Sequence, residues 1–393
     1  MAEAVFLAGG RRTPFADFGK SFRDVPLTTL GVHAARAAME AARVAPDALD
    51  AVTFGNVMPV DHDAPFLSRR VGLGAGLPVG STAMAVNRAC ASGSEAIATA
   101  ARLIRSGDSR LALACGAENF SRVPYVSQSV RWGAKRGGVQ LEDGLEHAYR
   151  CGFSRAFMGE TAENLADLDN ETRERMDEWG LMSQARARAA IENGTLARQI
   201  APITVPDGRG ERVMERDEFP RFDVTTEKLA SLKPVYRKNG RITAGSSSGV
   251  TDGAAAIVVG SEDAFREHGV EPEARLVATA VAGVEPHVMG AGPVPAIRLL
   301  LERQGLRVED IDYFEINEAF AVVNLYAERH LGIPRERHNL YGGGISLGHP
   351  PGATGVRLTI MAVEHLRATG GRRAVVSMCA GGGQGMATLI EAA

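Results

Sequence analysis

The chain of 393 residues carries an internal repeat, and this constrains its architecture more than any other feature. Residues 30–56 match residues 292–318 at a constant offset of 262: Arg36 aligns with Arg298, Glu40 with Glu302, Asp47 with Glu309, Leu49 with Ile311 and Asp50 with Asp312. Both copies read as an amphipathic helix, a short acidic turn and an apolar strand, Ala51–Phe54 in one and Tyr313–Ile316 in the other. Further on, Ser106-Gly107 before Arg110–Ala114 matches Thr369-Gly370 before Arg373–Ser377 at offset 263. Between these anchors each copy has a turn that opens a helix. The first reads Cys90-Ala-Ser-Gly93 and the second His349-Pro-Pro-Gly352, at offset 259, so Cys90 and His349 hold corresponding places. Strand and helix alternate in each half, which predicts an α/β fold with mostly parallel sheets covered by helices. The unbroken apolar run Ala254–Val259 reads as a strand buried on both faces. Ligands bind beyond the C-terminal strand ends of open α/β sheets. Two equivalent halves facing each other would therefore bring Cys90 and His349 together.

The middle of the chain departs from this pattern. It is rich in charge and turn residues, as in Pro206-Asp-Gly-Arg-Gly210 and Glu215-Arg-Asp-Glu-Phe-Pro-Arg221. The reading assigns residues 1–120 with 245–268 to an N-terminal half, 121–244 to an inserted loop domain over the site, and 269–393 to a C-terminal half. Within the insertion, residues 183–193 read as a helix capped by Ser183. A net charge of −3 gives no basic field for nucleic acid. No run of ~18 apolar residues predicts a membrane span. The N-terminal segment has too short an apolar core for a secretory leader. None of the four cysteines forms a C-x-x-C pair, so no metal site is expected and a reducing cytoplasm is the expected compartment.

Chemistry concentrates at a few strand ends. Apolar residues lead up to Cys90, and small residues and a helical run through Ile104 follow it. A thiol at a helix start lies near unpaired N–H groups and the positive end of the helix dipole, which favour thiolate. His349 sits in the glycine-rich turn Gly342–Gly355. Asn317-Glu-Ala-Phe-Ala321 follows one apolar strand, and Cys379-Ala-Gly-Gly-Gly-Gln-Gly385 follows another. Taken singly, each residue has a plain structural reading: a buried core cysteine, a structural histidine, a helix-capping asparagine. Together, a thiol and a histidine base suit acyl transfer. The glycine run 379–385 lacks the Lys-Ser/Thr of a phosphate loop, and no dinucleotide fingerprint is present.

These segments make the chain resemble the thiolases over essentially its whole length. The resemblance rests on Arg12-Thr-Pro-Phe15, the Cys90 segment, Ser248 in Thr243–Ala254, Asn317-Glu-Ala-Phe, Gly348-His349-Pro350 and Cys379-x-Gly-Gly-Gly. It implies two duplicated βαβαβαββ halves in a five-layered α-β-α-β-α arrangement, with an inserted loop domain. It implies an acyltransferase with no permanently bound cofactor, using coenzyme A and acyl-CoA as substrates. It also implies a homodimer or homotetramer, with residues 120–145 in the place of a tetramer-building loop. By the same resemblance Cys90 is the nucleophile, His349 activates it, and Cys379 moves the proton at the methyl carbon of acetyl-CoA. His349 with a water on Asn317 would form one oxyanion hole, and the N–H groups of Cys90 and Gly381 the other. Ser248, Arg221, Met158, Phe157 and Phe320 would line the coenzyme A and substrate side. Three positions depart from familiar members: Phe157 and Phe219 stand where histidine is frequent, and Tyr341 where asparagine is common. Phe157 implies a more apolar pocket. Two other readings are a ketosynthase-type condensing enzyme, opposed by the second thiol Cys379, and a non-catalytic acyl-CoA or lipid binder, opposed by the full set Cys90, Asn317, His349 and Cys379.

Overall fold

The structure is a computed structural model that describes residues 3–134 and 136–393. The first half runs β1 (Val5–Arg12), α1 (Leu27–Ala42), β2 (Ala51–Gly55), α2 (Leu67–Ala75), β3 (Thr82–Val86), α3 (Ser92–Ser106) and β4 (Leu111–Glu118). A long excursion follows, containing α4 (Met158–Leu168) and α5 (Arg173–Glu192), before the chain returns as β5 (Thr251–Ser261). The second half runs β6 (Ala274–Gly283), α6 (Pro293–Gln304), β7 (Tyr313–Ile316), α7 (Ala321–Leu331), α8 (Pro351–Thr369), β8 (Arg373–Ala380) and β9 (Gln384–Ala392).

The strand order is β3-β2-β4-β5-β1 in the first half and β7-β8-β9-β6 in the second, the same order of equivalent strands. The edges β1 and β6 pair antiparallel, Val5 opposite Leu276 and Leu7 opposite Ala274. This joins the halves into a ten-stranded sheet that includes a short stub, Ala16–Asp17, beside β5. The repeat seen in the sequence is thus a repeat of topology. The helices after Cys90 and after His349, α3 and α8, start at Ser92 and Pro351, equivalent places in the two copies.

One strand is reduced in the second copy. The counterpart of β3 is a single bridge, His338 beside Phe314. Asn339 (φ 47°) and Gly342 (φ 81°) turn the chain out of extended geometry there. The Asn339 side chain replaces the lost ladder: its Oδ1 accepts from Ile316 N–H at 2.8 Å and its Nδ2 donates to Ile316 O at 2.7 Å.

Strand directions also differ from the mostly parallel reading. Parallel pairing is confined to β2 with β3 and β4, and to β7 with β8; β1, β5, β6 and β9 pair antiparallel. Only residues 381–383 separate β8 from β9, and so short a link closes an antiparallel pair but not a parallel one.

Five layers result. The central layer is α3 and α8, where Ile97 and Val356 pack between Ile257 of one sheet face and Val376 of the other. α1 and α2 cover the far side of the first half through Leu30 and Val71 against Val52 and Val258. α6 and α7 cover the second through Ile297, Leu300 and Ala327 against Phe314 and Val375. Every residue of β5 is buried, as the unbroken apolar run predicts.

The Arg12-Thr-Pro-Phe segment roots the excursion on β1. Fully buried Arg12 grips Asp217 through two bonds of 2.6 and 2.8 Å, and Asp217 Oδ1 also accepts from Phe15 N–H at 2.7 Å. α5 begins ten residues before the predicted helix, capped by Thr172, whose side chain accepts from Arg175 N–H. Ser183 is therefore no cap. It lies buried in mid-helix and donates to Glu318 Oε2 at 2.6 Å. Ser183 matches an N-cap signal, which drew the expected start ten residues too far along.

Candidate active site

After β3 the chain makes a tight turn. Asn87 Oδ1 accepts from Ala89 N–H at 2.9 Å, and Ala89 adopts φ 44°. A side chain in that left-handed region costs roughly 1 kcal/mol or more. Ser92 holds the turn, donating through Oγ to Ala89 O at 2.7 Å and accepting from Arg88 N–H at 2.9 Å. Cys90 thereby sits two residues ahead of α3, with its own N–H and that of Gly381 directed at its sulfur. Burial nevertheless pushes the Cys90 thiol above its ordinary range; the two N–H groups oppose this and nearby Glu118 reinforces it. The thiolate expected from a helix start is thus absent at rest. Burial is the larger cause, and of the amides at the helix start that of Ser92 is turned to Ala89 O at 3.0 Å and not to the sulfur.

His349 is held just before α8. Its Nδ1 lies 2.7 Å from Thr354 Oγ1, and that hydroxyl donates to Pro350 O at 2.9 Å. A hydroxyl has one hydrogen, so Thr354 accepts from Nδ1–H and Nε2 is left unprotonated as an acceptor. Asn317 Nδ2 lies 3.4 Å from that Nε2. Burial, with the positive charge of Arg357 adding to it, holds His349 down at about 3. The Cys90–His349 pair is therefore thiol and neutral imidazole.

Glycines bring the two halves this close. A Cβ on Gly93 would lie 2.7 Å from Gly352 O, one on Gly116 would strike the same carbonyl, and one on Gly355 would strike Ser94 N. The first turns of α3 and α8 touch backbone to backbone, as the repeat implied. Cys379 lies one residue before the end of β8, fully buried, and its thiol is pushed well above the ordinary range by burial and by the proximity of Cys90. Asn317 directly follows β7, its N–H on Ser377 O at 2.9 Å, with its Oδ1 buried and bonded to no group among the described residues. Gly381 opens the β8–β9 hairpin, where Gly382 and Gly383 have φ 86° and 85°. Side-chain obstruction is strongest at Gly383, whose Cβ would strike Val284 O, whereas one on Gly381 would meet Met158 at an ordinary 3.5 Å.

A cavity of about 300 Å³ opens beside these groups. Its walls include Cys90, His349, Gly381, Ser248, Met158, Phe157 and Phe320. Cys379 and Asn317 lie behind that wall. Arg221 stands apart on the surface, 3.1 Å from Asp17 and over the Phe219 ring. The wall also holds Phe120, Tyr149, Tyr236 and Met289, which sequence reasoning did not single out. Three of them come from the irregular excursion, where no periodicity marks an inward face. Two carboxylates in the wall are engaged: Asp143 accepts from Leu145 N–H at 2.9 Å, and Glu146 pairs with Arg150 at 3.0 Å. Arg150 in turn stacks on Phe157 at 3.8 Å. Among the described residues no group of three or more His, Cys, Asp or Glu side chains could hold a metal ion.

Comparison with known proteins agrees with this arrangement. The family model for the thiolase N-terminal domain matches residues 5–263, and that for the thiolase C-terminal domain matches residues 270–392. The mitochondrial 3-ketoacyl-CoA thiolase of Bos taurus is 42% identical over 392 residues, covering 100% of this chain and 99% of its own. The beta-ketothiolase BktB of Cupriavidus necator is 41% identical, with both chains covered completely. A crystal structure of human mitochondrial 3-ketoacyl-CoA thiolase in complex with CoA superposes with a TM-score of 0.97 at 41% identity, over 100% of this chain and 99% of that one. The chain belongs to the thiolase family of acyltransferases.

Proposed function

We propose that this chain cleaves 3-ketoacyl-CoA with coenzyme A, and runs the reverse Claisen condensation, through an acyl-Cys90 intermediate. The observation that carries the reading is the convergence of Cys90, neutral His349 and the Gly381 N–H on one cavity, with Cys379 directly behind.

In cleavage, Cys90 Sγ attacks the 3-keto carbon while its proton passes to His349 Nε2. The oxyanion forms against N–H donors and then collapses, breaking the bond between C2 and C3. The electron pair leaves on C2 as the enolate of acetyl-CoA, which takes the proton of Cys379. Free coenzyme A then attacks the acyl-Cys90 carbonyl, giving its thiol proton to the Cys379 thiolate. Cys90 departs and recovers its proton from His349. A thiol as reluctant to ionise as Cys379 keeps its proton until a carbanion arrives, which is what this step needs. The unpartnered Asn317 Oδ1 suits a bound water, which with His349 would serve the enolate oxygen.

The wall of Phe157, Tyr149, Phe120 and Met289, with its two carboxylates engaged, favours an apolar acyl chain longer than two carbons. Ser248, Met158 and Phe320 would contact the thioester arm, and Arg221 a phosphate of coenzyme A outside the cavity. The residues 121–244 would then act as the cover that binds coenzyme A. The sheet edge β3 is unpaired, with Met84 and Ala85 exposed, and we assign it to a homodimer contact. Exposed Trp132 and Tyr125 in the 120–145 segment, of which Lys135 lies outside the described residues, would extend this to a tetramer. Four cysteines free of disulfides suit a reducing compartment such as the cytoplasm.

The test is a kcat/KM series over 3-ketoacyl-CoA chain lengths with coenzyme A as acceptor. Thiolysis rising beyond the four-carbon substrate supports the reading. A steep preference for four carbons contradicts the apolar-pocket part, and no thiolysis at any length contradicts the activity.

A further inference from the structure

Glu118, the last residue of β4, is fully buried and touches no water-facing surface. Its two carboxyl oxygens accept four bonds, Met58 N–H at 2.9 Å and Asn56 Nδ2 at 3.1 Å on Oε1, Val57 N–H at 3.1 Å and Gly352 N–H at 3.0 Å on Oε2. Burial pushes this group up to about 8, and the Met58, Val57 and Gly352 N–H groups oppose that rise. Two of these reach the catalytic pair from opposite sides. Gly352 N–H belongs to the first turn of α8, three residues after His349, so a carboxylate of the first half caps the helix that carries the base. Val57 lines the cavity, and its carbonyl accepts from Asn87 Nδ2 at 3.2 Å. Asn87 Oδ1 in turn holds Ala89 N–H at 2.9 Å, in the strained turn that presents Cys90. An unbroken line of hydrogen bonds therefore runs from the base's helix through Glu118 to the nucleophile's turn.

We propose that Glu118 is a positioning residue that fixes the mutual placement of Cys90 and His349. The assignment rests on the reading of those two residues as nucleophile and base. Glu118 touches no reacting atom and acts through Gly352 on one side and through Val57 and Asn87 on the other. A glutamate is suited to this place because each oxygen faces two donors. Glutamine would turn one of those oxygens into an N–H₂ group facing N–H groups.

The experiment compares Glu118→Gln and Asn87→Ala with the unaltered enzyme. Asn87→Ala cuts only the arm to the Cys90 turn. Two readouts are taken on folded protein: steady-state thiolysis, and the rate of alkylation of Cys90 by iodoacetamide, located by peptide mapping. Misplacing a reacting pair by about 1 Å costs up to ~100-fold in rate. Glu118→Gln is expected to lower kcat by ~100-fold with KM changed less than about threefold, and to slow Cys90 alkylation per thiolate by ~10-fold. Each alkylation rate is divided by the thiolate fraction read from its own pH profile, since loss of the Glu118 charge by itself favours the thiolate. Asn87→Ala is expected to slow alkylation by several fold at nearly unchanged melting temperature. The proposal is overturned if folded Glu118→Gln keeps kcat and alkylation within about twofold, or loses kcat while alkylation is unchanged. If Glu118→Gln does not fold, Asn87→Ala decides: alkylation at the unaltered rate overturns it. Alkylation requires no substrate, so an enzyme without thiolysis would refute the assigned reaction and leave this test intact.

Discussion

Thr354 Oγ1 lies 2.7 Å from His349 Nδ1 and gives its own hydrogen to Pro350 O, which leaves His349 Nε2 unprotonated beside Asn317. One hydroxyl on the first turn of α8 therefore selects the tautomer that can accept the Cys90 proton. Replacing Thr354 by Val keeps the shape and removes that anchor. The expected result is a fall in kcat of ~10–100-fold, the range seen when a histidine loses its orienting partner. KM should change little. Steady-state kinetics at saturating coenzyme A check this, and an unchanged kcat would show that packing alone holds the ring.

The contact between Gly93 and Gly352 predicts an effect on stability. A methyl group on Gly93 would lie 2.7 Å from Gly352 O, and one on Gly352 would lie 2.6 Å from Gly55 O. Neither backbone can yield without separating α3 from α8. Gly93→Ala and Gly352→Ala should each destabilise by roughly 3 kcal/mol, at the upper end of overpacking costs. Chemical denaturation measures this, and a change under about 1 kcal/mol would mean the helices slide apart easily.

Cys379→Ser should separate the two half-reactions. Acylation of Cys90 by an acyl-CoA uses His349 and the Cys90 and Gly381 amides, with Cys379 only protonating a coenzyme A thiolate that can also leave unprotonated. Condensation cannot proceed without a base to take a proton from carbon. Rapid-quench measurement should find an acyl-enzyme burst in the variant and turnover reduced by ~100-fold or more. Turnover near that of the unaltered enzyme would show that Cys379 moves no proton.

The low basicity of His349 sets the acid side of the pH profile. Its ordinary value is 6.5 and its value here about 3, so the free base persists through the mildly acidic range. kcat/KM for acylation should therefore hold its level from pH 7 down to about 5, with no inflection near 6.5 from this residue. The sign for stability is opposite. The unfolded chain protonates this histidine near 6.5 and the folded chain does not, so stability is complete above that value and declines as pH falls toward 3. Paired pH–rate and pH–melting curves test both halves of the statement.

How much of this was legible in the sequence varies from residue to residue. The repeat predicted that Cys90 and His349 come near each other, and both line the same cavity, because duplicated elements leave matching residues at matching offsets. The strand order came only from the fold. It did not reveal that the second copy of β3 shrinks to a bridge, since that depends on the Asn339 side chain reaching Ile316. The thiolate expectation at Cys90 failed for a similar reason. Sequence shows a helix start but not the partly buried cavity wall in which the thiol sits, where loss of solvent outweighs the two N–H groups directed at it. Glu118 reads as an unremarkable strand end, and its partner Gly352 lies 234 residues away. Tyr149 ends the six-residue helix Gly144–Tyr149, too short to show a period, and Tyr236 reaches the cavity from irregular backbone. Arg221, matched by resemblance, lies outside the cavity and pairs with Asp17, a contact that only the folded chain brings about.

The central claim is that Cys90 carries the acyl group. The direct measurement is to mix the Cys379→Ala variant with an acyl-CoA, quench in acid, digest, and locate the added acyl mass by peptide mass spectrometry. The account predicts one acyl group per chain on the peptide containing Cys90, and none when Cys90 is also replaced by Ala. An acyl group on Cys115 or Cys151, or no acylated peptide while coenzyme A is released, would contradict it.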